Sequence, residues 1–302
     1  MSTTALAIPN RRTAVLVRAR DYVELTKPRI AVLLLVVVAA AMFVATWGQL
    51  DPAAMLHAML GTVLIAASAS AANQWIERDR DAQMPRTADR PLPSGRLGRA
   101  EVAVFSGVLL FAGLAYLGFM LGVRTFACGA LTWAIYVLVY TPLKPVTSAN
   151  TAIGAIAGAM PVMIGWSATG VAFDQRAGAL FLLLFLWQFP HFMAIAWLYR
   201  RQYAAAGHKM LTVVEPTGRL AGWQAVVAAL ALVPVSLVPA LQAADWSGVG
   251  YVIVATALGL GQLSLAMWFF VATNDVSARW LLRASLIYLP LLLLLLMLVP
   301  WL

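Results

Sequence analysis

Long apolar runs alternate with short polar segments along almost the whole chain of 302 residues. The stretch Ile30–Leu50, for example, contains no Asp, Glu, Lys or Arg. A helix needs about 20 consecutive apolar residues to cross a bilayer, and nine segments are that long or nearly so. The pattern therefore predicts an all-α polytopic membrane protein with nine transmembrane helices, at about Ile30–Ala45, Met55–Ala72, Val102–Leu121, Phe126–Tyr140, Thr151–Ala168, Ala179–Leu198, Trp223–Ala240, Gly250–Ala272 and Leu286–Leu302.

The basic residues indicate how these helices are oriented. Almost all of the 21 Lys and Arg residues lie in the N-terminal arm or in the loops after the second, fourth, sixth and eighth spans. The opposite side carries only Arg124 and Arg176. The positive-inside rule then predicts a cytoplasmic N-terminus and cytoplasmic charged loops, with Leu302 outside. The net charge of +9 reflects this bias, so it does not predict a nucleic-acid partner.

The chain divides into two unequal parts. Residues 1–22 are expected to form a disordered basic cytoplasmic arm, and residues 23–302 a single membrane domain. The first apolar run is a full-length span with no small-residue cleavage pattern after it, so a cleavable signal peptide is not predicted. Cys128 stands alone within the fourth span, which predicts neither a disulfide nor a thiolate metal site.

Charge is concentrated in the segment 73–95, after the second span. Asn73, Glu77 and Asp81 are spaced four residues apart, so they lie along one side of a helix. Magnesium in proteins typically binds one or two carboxylates and completes its shell with water and phosphate oxygens. Arg86 and Arg90 follow, and guanidinium suits phosphate geometry. The segment predicts a magnesium and phosphate site, although a solvated, salt-bridged loop has the same composition.

The fourth and fifth spans carry two further signals, a lysine at the end of one and a group of glycines within the other. Pro142 and Pro145 are expected to end the fourth helix and present Lys144 at the interface, either as a ligand on the side of the acidic segment or as a snorkelling anchor. In the fifth span, Gly154, Gly158 and Gly165 favour close helix packing, with a kink at Pro161.

The sixth span contains a histidine within the apolar region. His191 follows Gln188 and Pro190, and an intramembrane titratable group is a functional candidate by default. A hydrogen-bonded structural histidine is the alternative. Neither His57 nor His208, which lie at helix ends or in loops, is assigned a role.

After the sixth span, Arg200, Arg201 and Lys209 form another basic group on the same predicted side. They could bind phosphate or could simply follow the positive-inside rule.

Taken together these segments resemble the UbiA-type intramembrane prenyltransferases, and within them the branch that farnesylates protoheme IX. The spacing Asn73-x₃-Glu77-x₃-Asp81 by itself indicates only the wider family. The resemblance runs from about Glu24 to Leu220 and is carried by ELTKPRI from Glu24, M-x-R-T-x-x-R-P from Met84, YTPLK-x-x-T from Tyr140, GAMPVMIGW from Gly158, WQFPHF from Trp187 and Y-x₂-AG-x₂-ML from Tyr203.

Two positions depart from the family pattern. Glu77 stands where an aspartate is common, which lengthens one ligand. Gln202 stands before Tyr203, where the family usually has an acidic residue, and it cannot supply negative charge. Arg200 and Arg201 would then bind diphosphate in place of a second metal, or Glu215 would supply the missing carboxylate.

The resemblance implies a nine-helix bundle in the cell inner membrane, and Mg²⁺ held by the catalytic residues Asn73, Glu77 and Asp81. It implies farnesyl diphosphate and heme b as substrates, with Arg86, Arg90, Lys144, Arg200, Arg201 and His191 as binding residues. The expected products are heme O and diphosphate. Contact with heme-modifying or oxidase-assembly proteins is a further expectation. The alternatives are a UbiA-type enzyme with an aromatic or chlorophyll-like acceptor, a transporter, and a non-enzymatic heme carrier or assembly factor.

Overall fold

The computed structural model describes residues 11–241 and 249–298, and these residues are almost entirely helical. The helices are α1 Arg11–Leu25, α2 Pro28–Thr46, α3 Pro52–Asp81, α4 Arg99–Leu121, α5 Val123–Ala134, α6 Thr141–Leu143, α7 Asn150–Ala168, α8 Gln175–Leu198, α9 Arg200–Ala205, α10 Leu211–Val214, α11 Arg219–Leu241, α12 Val249–Ala272 and α13 Asp275–Leu298. A π-helical segment, Ile135–Tyr140, joins α5 to α6.

Nine helical segments in the described part of the chain are long and apolar enough to cross a membrane, which confirms the predicted number of spans. Each membrane helix contacts the next one along the chain, and α13 returns to contact α2, so that the bundle closes on itself. The largest buried cluster lies where α2, α7, α8, α11, α12 and α13 meet, around the fully buried Trp166. The protein is therefore a multi-pass membrane protein.

The ends of two spans differ from the sequence prediction. Helix α3 runs over 30 residues, Pro52–Asp81, so the polar stripe lies on the same helix as the second span. Helix α13 begins at Asp275 rather than near Leu286. Arg279 and Arg283 are exposed and lie one turn apart, so the helix continues through them with both charges on its outer face. The predicted end at Leu302 lies outside the described residues.

The predicted disordered arm is corrected for residues 11–22, which belong to α1. The helix is held by tertiary contacts that the sequence pattern did not reveal. Asp21 is buried and pairs with Arg96, Tyr22 donates a hydrogen bond to Glu101, and Leu25 is fully buried in a small apolar cluster. Residues 1–10 lie outside the described part of the chain.

The glycines of α7 allow the close helix contacts that the sequence predicted. A Cβ atom at Gly165 would lie 2.5 Å from the carbonyl oxygen of Val38 on α2, and one at Gly158 would lie 2.1 Å from Oε1 of Gln188 on α8. Contacts this short are excluded between real atoms, so a side chain at either position would force its neighbour to move.

We expect Gly165→Ala to lower the stability of the protein by about 1–3 kcal/mol, because the obstructing atom belongs to backbone that cannot rotate away. The midpoint of thermal unfolding in detergent measures the effect. Gly178→Ala in α8 is the matched control, since a Cβ there meets no atom within 4 Å. Equal midpoints for the two variants would show that α2 and α7 are not in close contact.

Candidate functional site

Asn73, Glu77 and Asp81 lie on one side of α3 and are all buried, with relative exposures of 2%, 5% and 1%. The Nδ2 atom of Asn73 donates to Oε2 of Glu77 at 3.0 Å and to the Thr141 hydroxyl at 3.1 Å. Asp79 points away from this stripe, with 69% of its side chain exposed. The helical spacing predicted from the sequence is confirmed, and the stripe faces the interior of the bundle.

Each carboxylate of the stripe is paired with a cation from another segment. The ammonium nitrogen of Lys144 lies 2.8 Å from Oε1 and 2.9 Å from Oε2 of Glu77, and Arg90 donates to Oδ2 of Asp81 at 2.6 Å. Burial by itself would lower the pKa of Lys144, but the adjacent Glu77 carboxylate raises it above its usual value. Lys144 is thus the ion-pair partner of a buried carboxylate, which favours a place in the site over an interfacial anchor.

The turn that carries Lys144 follows a π-helical segment. Pro142 does not end the helix, because the chain continues through the π-helix Ile135–Tyr140 into α6. The Thr141 hydroxyl donates to the carbonyl of Tyr136 at 2.8 Å and accepts from Asn73. Single π-turns often occur at functional sites, where they redirect side chains. This one directs Tyr136 and Tyr140 towards the α3 stripe.

Lys27 also belongs to this site, although it was not predicted as a binding residue. Its ammonium nitrogen lies 3.4 Å from Oδ1 of Asn73. Its backbone adopts a left-handed conformation, with φ of 48°, just before Pro28. Left-handed backbone is costly for a side-chain-bearing residue. Burial and the nearby charges of Arg90 and Lys144 lower the pKa of Lys27 to about 7.

His208 is a second residue that sequence reasoning missed. It is 2% exposed, and its Nδ1 atom has no hydrogen-bond partner among the described residues. Burial lowers its pKa to about 4, although Glu77 opposes this shift. Gly207 precedes it with φ of 71°, and the Lys209 amide donates to the Lys144 carbonyl at 2.7 Å. The only sequence signal was the glycine, which marks a turn that brings this loop back over the α6 turn.

These side chains line a polar cavity of about 100 Å³. Its charged lining comprises four cations and two carboxylates, namely Lys27, Arg86, Arg90, Lys144, Glu77 and Asp81. A second cavity, of about 200 Å³, lies beside it and is more apolar. The two share Arg86, Tyr140, Tyr203 and Met210, and Phe192 and Ile195 extend the second one along α8. The arrangement suits a molecule with an anionic end and an apolar tail.

The model of the UbiA prenyltransferase family matches residues 33–288, which include the polar stripe and all the residues that line the two cavities except Lys27. The chain belongs to this family. Two relatives named protoheme IX farnesyltransferase are similar throughout. The protein from Solibacter usitatus is 43% identical over 90% of this chain and 96% of its own length. The one from Rhodopirellula baltica is 44% identical over 89% and 96%, respectively.

Solved structures of UbiA proteins share the fold. Digeranylgeranylglyceryl phosphate synthase superposes with a TM-score of 0.79 over 94% of this chain and 98% of its own, at 16% identity. A UbiA homologue from Archaeoglobus fulgidus, bound to GPP and Mg²⁺, superposes with a TM-score of 0.68 over 93% and 100%, at 17% identity. The nine-helix architecture of this chain is therefore the UbiA fold.

The residues of the stripe fit a magnesium ion. Oε1 of Glu77 is buried and receives no hydrogen bond, although it lies close to the Lys144 ammonium. One amide oxygen and two carboxylates match the small number of protein ligands that magnesium takes. Within the described residues, no three His, Cys, Asp or Glu side chains form a metal-binding group. The remaining ligands of a magnesium ion would have to be substrate oxygens or water.

The basic and acidic residues after α8 lie in a different arrangement from the one expected. Arg200 donates to Oδ1 of Asp275 at 3.1 Å and to the Trp197 carbonyl at 2.6 Å. Neither Arg200 nor Arg201 is among the described residues that line the two cavities. Glu215 accepts hydrogen bonds from the Thr217 hydroxyl and from the backbone amides of Thr217 and Leu220. These bonds lower the pKa of Glu215. Glu215 therefore caps the start of α11.

Arg86, by contrast, lies at the boundary between the two cavities. Its guanidinium donates to the Tyr203 hydroxyl at 3.1 Å and lies 4.4 Å from the ring centre of Tyr199. The contacts connect the loop after α3 to α9, which closes the cavities on the predicted cytoplasmic side.

His191 lies outside the polar cluster. Its Nδ1 atom is 2.9 Å from the Ser285 hydroxyl on α13, and its ring stacks on Trp187. Gln188, three residues before His191 in α8, donates instead to the Ala155 carbonyl on α7. The next residue, Phe192, lines the apolar cavity. His191 itself is not among the described residues that line either cavity, but its ring contacts that of Phe192, and it lies about 10 Å along α8 from the helix end at Leu198.

Proposed function

We propose that this chain transfers the farnesyl group of farnesyl diphosphate to a vinyl group of heme b, giving heme O and diphosphate. The names of the relatives from Solibacter usitatus and Rhodopirellula baltica support the substrates, since both are similar along nearly their whole length. The observation that carries the proposal is the polar cavity, with its four cations and two carboxylates, directly beside an apolar cavity.

The diphosphate end of the donor would lie in the polar cavity. Breaking the allylic C–O bond leaves the electron pair on diphosphate, so negative charge grows on its oxygens. Lys27, Arg90 and Lys144 converge on this space and are already held in place by Asn73, Asp81 and Glu77. Preorganised cations of this kind stabilise the developing charge without having to reorganise during the reaction.

Magnesium, when bound by Asn73, Glu77 and Asp81, would neutralise part of the diphosphate charge and make it a better leaving group. The UbiA homologue from Archaeoglobus fulgidus, whose structure contains Mg²⁺ and GPP, supports this assignment. The carboxylates now pair with Lys144 and Arg90, so these two cations would turn towards the diphosphate oxygens when magnesium and the donor bind, before the C–O bond breaks.

The farnesyl chain would occupy the apolar cavity. Tyr140, Phe192 and Ile195 contribute to its wall. The allylic cation formed when the C–O bond breaks would lie at the boundary of the two cavities, near the Tyr140 ring. Aromatic faces attract cations, and an apolar wall excludes the water that would otherwise capture them.

The acceptor would approach from the membrane beside α8. The vinyl π electrons of heme b would form the new bond to the first farnesyl carbon. The cation left on the other vinyl carbon would then be captured by water as a hydroxyl group, and the released proton would pass to diphosphate. His191, adjacent to the apolar cavity through Phe192, is the residue that we propose to bind the heme.

We also propose that the protein lies in the cell inner membrane with its N-terminus and the loops around both cavities in the cytoplasm. The distribution of Lys and Arg supports this sidedness. It would expose the polar cavity to cytoplasmic farnesyl diphosphate and magnesium.

Expression in cells that make heme b but no heme O provides the test. We expect extracted heme to contain a hydroxyfarnesyl derivative, and the purified protein to release diphosphate only with farnesyl diphosphate, heme b and magnesium all present. Diphosphate release with an aromatic or chlorophyll-like acceptor instead of heme would identify another UbiA activity. Heme binding without any diphosphate release would identify a carrier.

Lysine variants of Arg86 and Arg200 test which arginine binds the diphosphate of the donor. We expect Arg86→Lys to raise the KM for farnesyl diphosphate about tenfold, because lysine loses the planar set of donors that guanidinium presents to phosphate. Arg200→Lys should leave this KM unchanged, since Arg200 pairs with Asp275. A raised KM in Arg200→Lys but not in Arg86→Lys would show that Arg200 binds the diphosphate, as the family resemblance implies.

A further inference from the structure

Ser285 of α13 is the point at which two rings of α8 are anchored. The indole Nε1 of Trp187 donates to the Ser285 carbonyl oxygen at 2.7 Å. Nδ1 of His191 lies 2.9 Å from the Ser285 hydroxyl oxygen. The same hydroxyl donates to the carbonyl of Leu282, one turn earlier in α13, at 2.7 Å. One serine therefore fixes the orientation of both aromatic side chains.

The hydrogen bonds of the Ser285 hydroxyl indicate which ring nitrogen of His191 carries the proton. A hydroxyl group has one proton to donate and two lone pairs that accept. The Ser285 hydroxyl lies 2.7 Å from the Leu282 carbonyl oxygen, which can only accept, so this distance favours placing the hydroxyl proton there. The contact with His191 then uses a proton on Nδ1 and a lone pair on Oγ. His191 is then protonated at Nδ1. Its other nitrogen, Nε2, carries a lone pair as long as the ring is neutral.

The surroundings of the ring favour the neutral form. The recorded partners of His191 among the described residues are Ser285, Trp187 and Phe192, and none of them carries a charge. A charged side chain within the bilayer is costly unless an opposite charge or water compensates it. We therefore expect the His191 imidazole to be neutral, with its proton on Nδ1.

Nε2 is free to meet a ligand. It lies on the other side of the ring from the Ser285 contact, and no described residue forms a hydrogen bond with it. The His191 side chain is only partly buried, and its ring touches Phe192, which lines the apolar cavity. An unprotonated imidazole nitrogen among uncharged neighbours suits a metal centre, whereas a propionate would need a proton on that nitrogen.

We infer that Ser285 holds His191 as the Nδ1-protonated tautomer, so that Nε2 ligates the iron of the substrate heme. The inference rests on the proposed function, because it takes heme b as the substrate. It assigns His191 to the heme iron and not to a heme propionate. His191 is then the iron ligand, and Ser285 is a positioning residue that acts through it.

The full-length protein in lipid nanodiscs, with added heme b, provides the test. We expect ferrous heme to show an iron–histidine stretching band in resonance Raman spectra. His191→Ala should lose this band, and added imidazole should restore a nitrogen-ligated spectrum. Recovery with imidazole would also show that the variant is folded. An unchanged band in His191→Ala, or no heme binding by the wild type, would overturn the inference.

Ser285 variants test the positioning role. Ser285→Ala removes the hydrogen-bond acceptor, so the band should shift to lower frequency and heme affinity should fall about 10–100-fold, as for other partners of metal-binding histidines. Ser285→Thr keeps the hydroxyl and should behave as the wild type. Ser264→Ala is the control, because the Ser264 hydroxyl also donates to a carbonyl of its own helix, that of Leu260, and has no histidine partner among the described residues. Identical band and affinity in Ser285→Ala and the wild type would contradict the positioning role.

Farnesyl transfer measured on the same preparations separates this inference from the proposed function. Transfer by a wild type whose heme spectrum does not depend on His191 would overturn only the iron ligation. Histidine-ligated heme without transfer or diphosphate release would overturn the proposed activity.

Discussion

Asp81→Asn is expected to lower the rate of farnesyl transfer by about 10²–10³-fold, the usual loss when one preorganised electrostatic group is removed. The side chain keeps its shape but loses the negative charge that would hold magnesium, and Arg90 loses its partner at 2.6 Å. Membrane insertion should be unaffected, because acidic residues contribute little to topology. Steady-state transfer by the purified variant, across a magnesium titration, measures the effect.

Asp79→Asn is the matched control, since it removes the same charge two residues away on the same helix. Asp79 is 69% exposed and pairs with Arg78 and Arg99 on the outer surface. The variant should retain nearly the wild-type rate. If both variants lose activity equally, the effect comes from the general charge of the segment, and Asp81 has no special role as a metal ligand.

Lys144→Met should have the largest effect on stability. It leaves the Glu77 carboxylate, which is 6% exposed, without the cation that contacts both of its oxygens. Breaking a buried ion pair on one side costs about 3–5 kcal/mol, because the remaining charge stays buried and uncompensated. The midpoint of thermal unfolding in detergent, compared with that of the wild type, measures this loss.

The double variant Glu77→Gln/Lys144→Met tests whether the unpaired Glu77 charge causes the loss of stability. Removing both charges is often close to neutral for stability, so the double variant should unfold at a higher temperature than Lys144→Met while remaining inactive. Arg99→Met provides the surface control, because Arg99 pairs with Asp79 at 3.6 Å and both side chains are mostly exposed. A double variant no more stable than Lys144→Met would show that Lys144 stabilises the protein through packing rather than charge.

The helices illustrate what a hydrophobicity pattern can predict. Charge-free runs had to become spans, because backbone in lipid must satisfy its own hydrogen bonds. The pattern did not predict α1, whose residues 11–22 are too polar for a span and are held instead by Arg96 and Glu101. It also placed the start of α13 too late, because exposed arginines at the end of a helix look like loop residues.

The candidate site shows the same division between local and long-range information. The spacing of Asn73, Glu77 and Asp81 was enough to predict a stripe on one side of a helix, but its burial is known only from the structure. Asp79, two residues from Glu77, is on the opposite side of the helix and is exposed, as the helical period requires. Lys27 and His208 were missed, because each reaches the stripe from a segment distant along the chain.

The sequence by itself therefore determined the nine spans, the polar stripe and membership of the UbiA family, since hydrophobic periodicity and local motifs carry that information. Only the tertiary structure decided which cation pairs with which carboxylate. It joined Lys144 to Glu77 and Arg90 to Asp81, and it paired Arg200 with Asp275 away from both cavities. Arginine and lysine look alike in a topology rule, and their roles differ only through the positions of the helices that carry them.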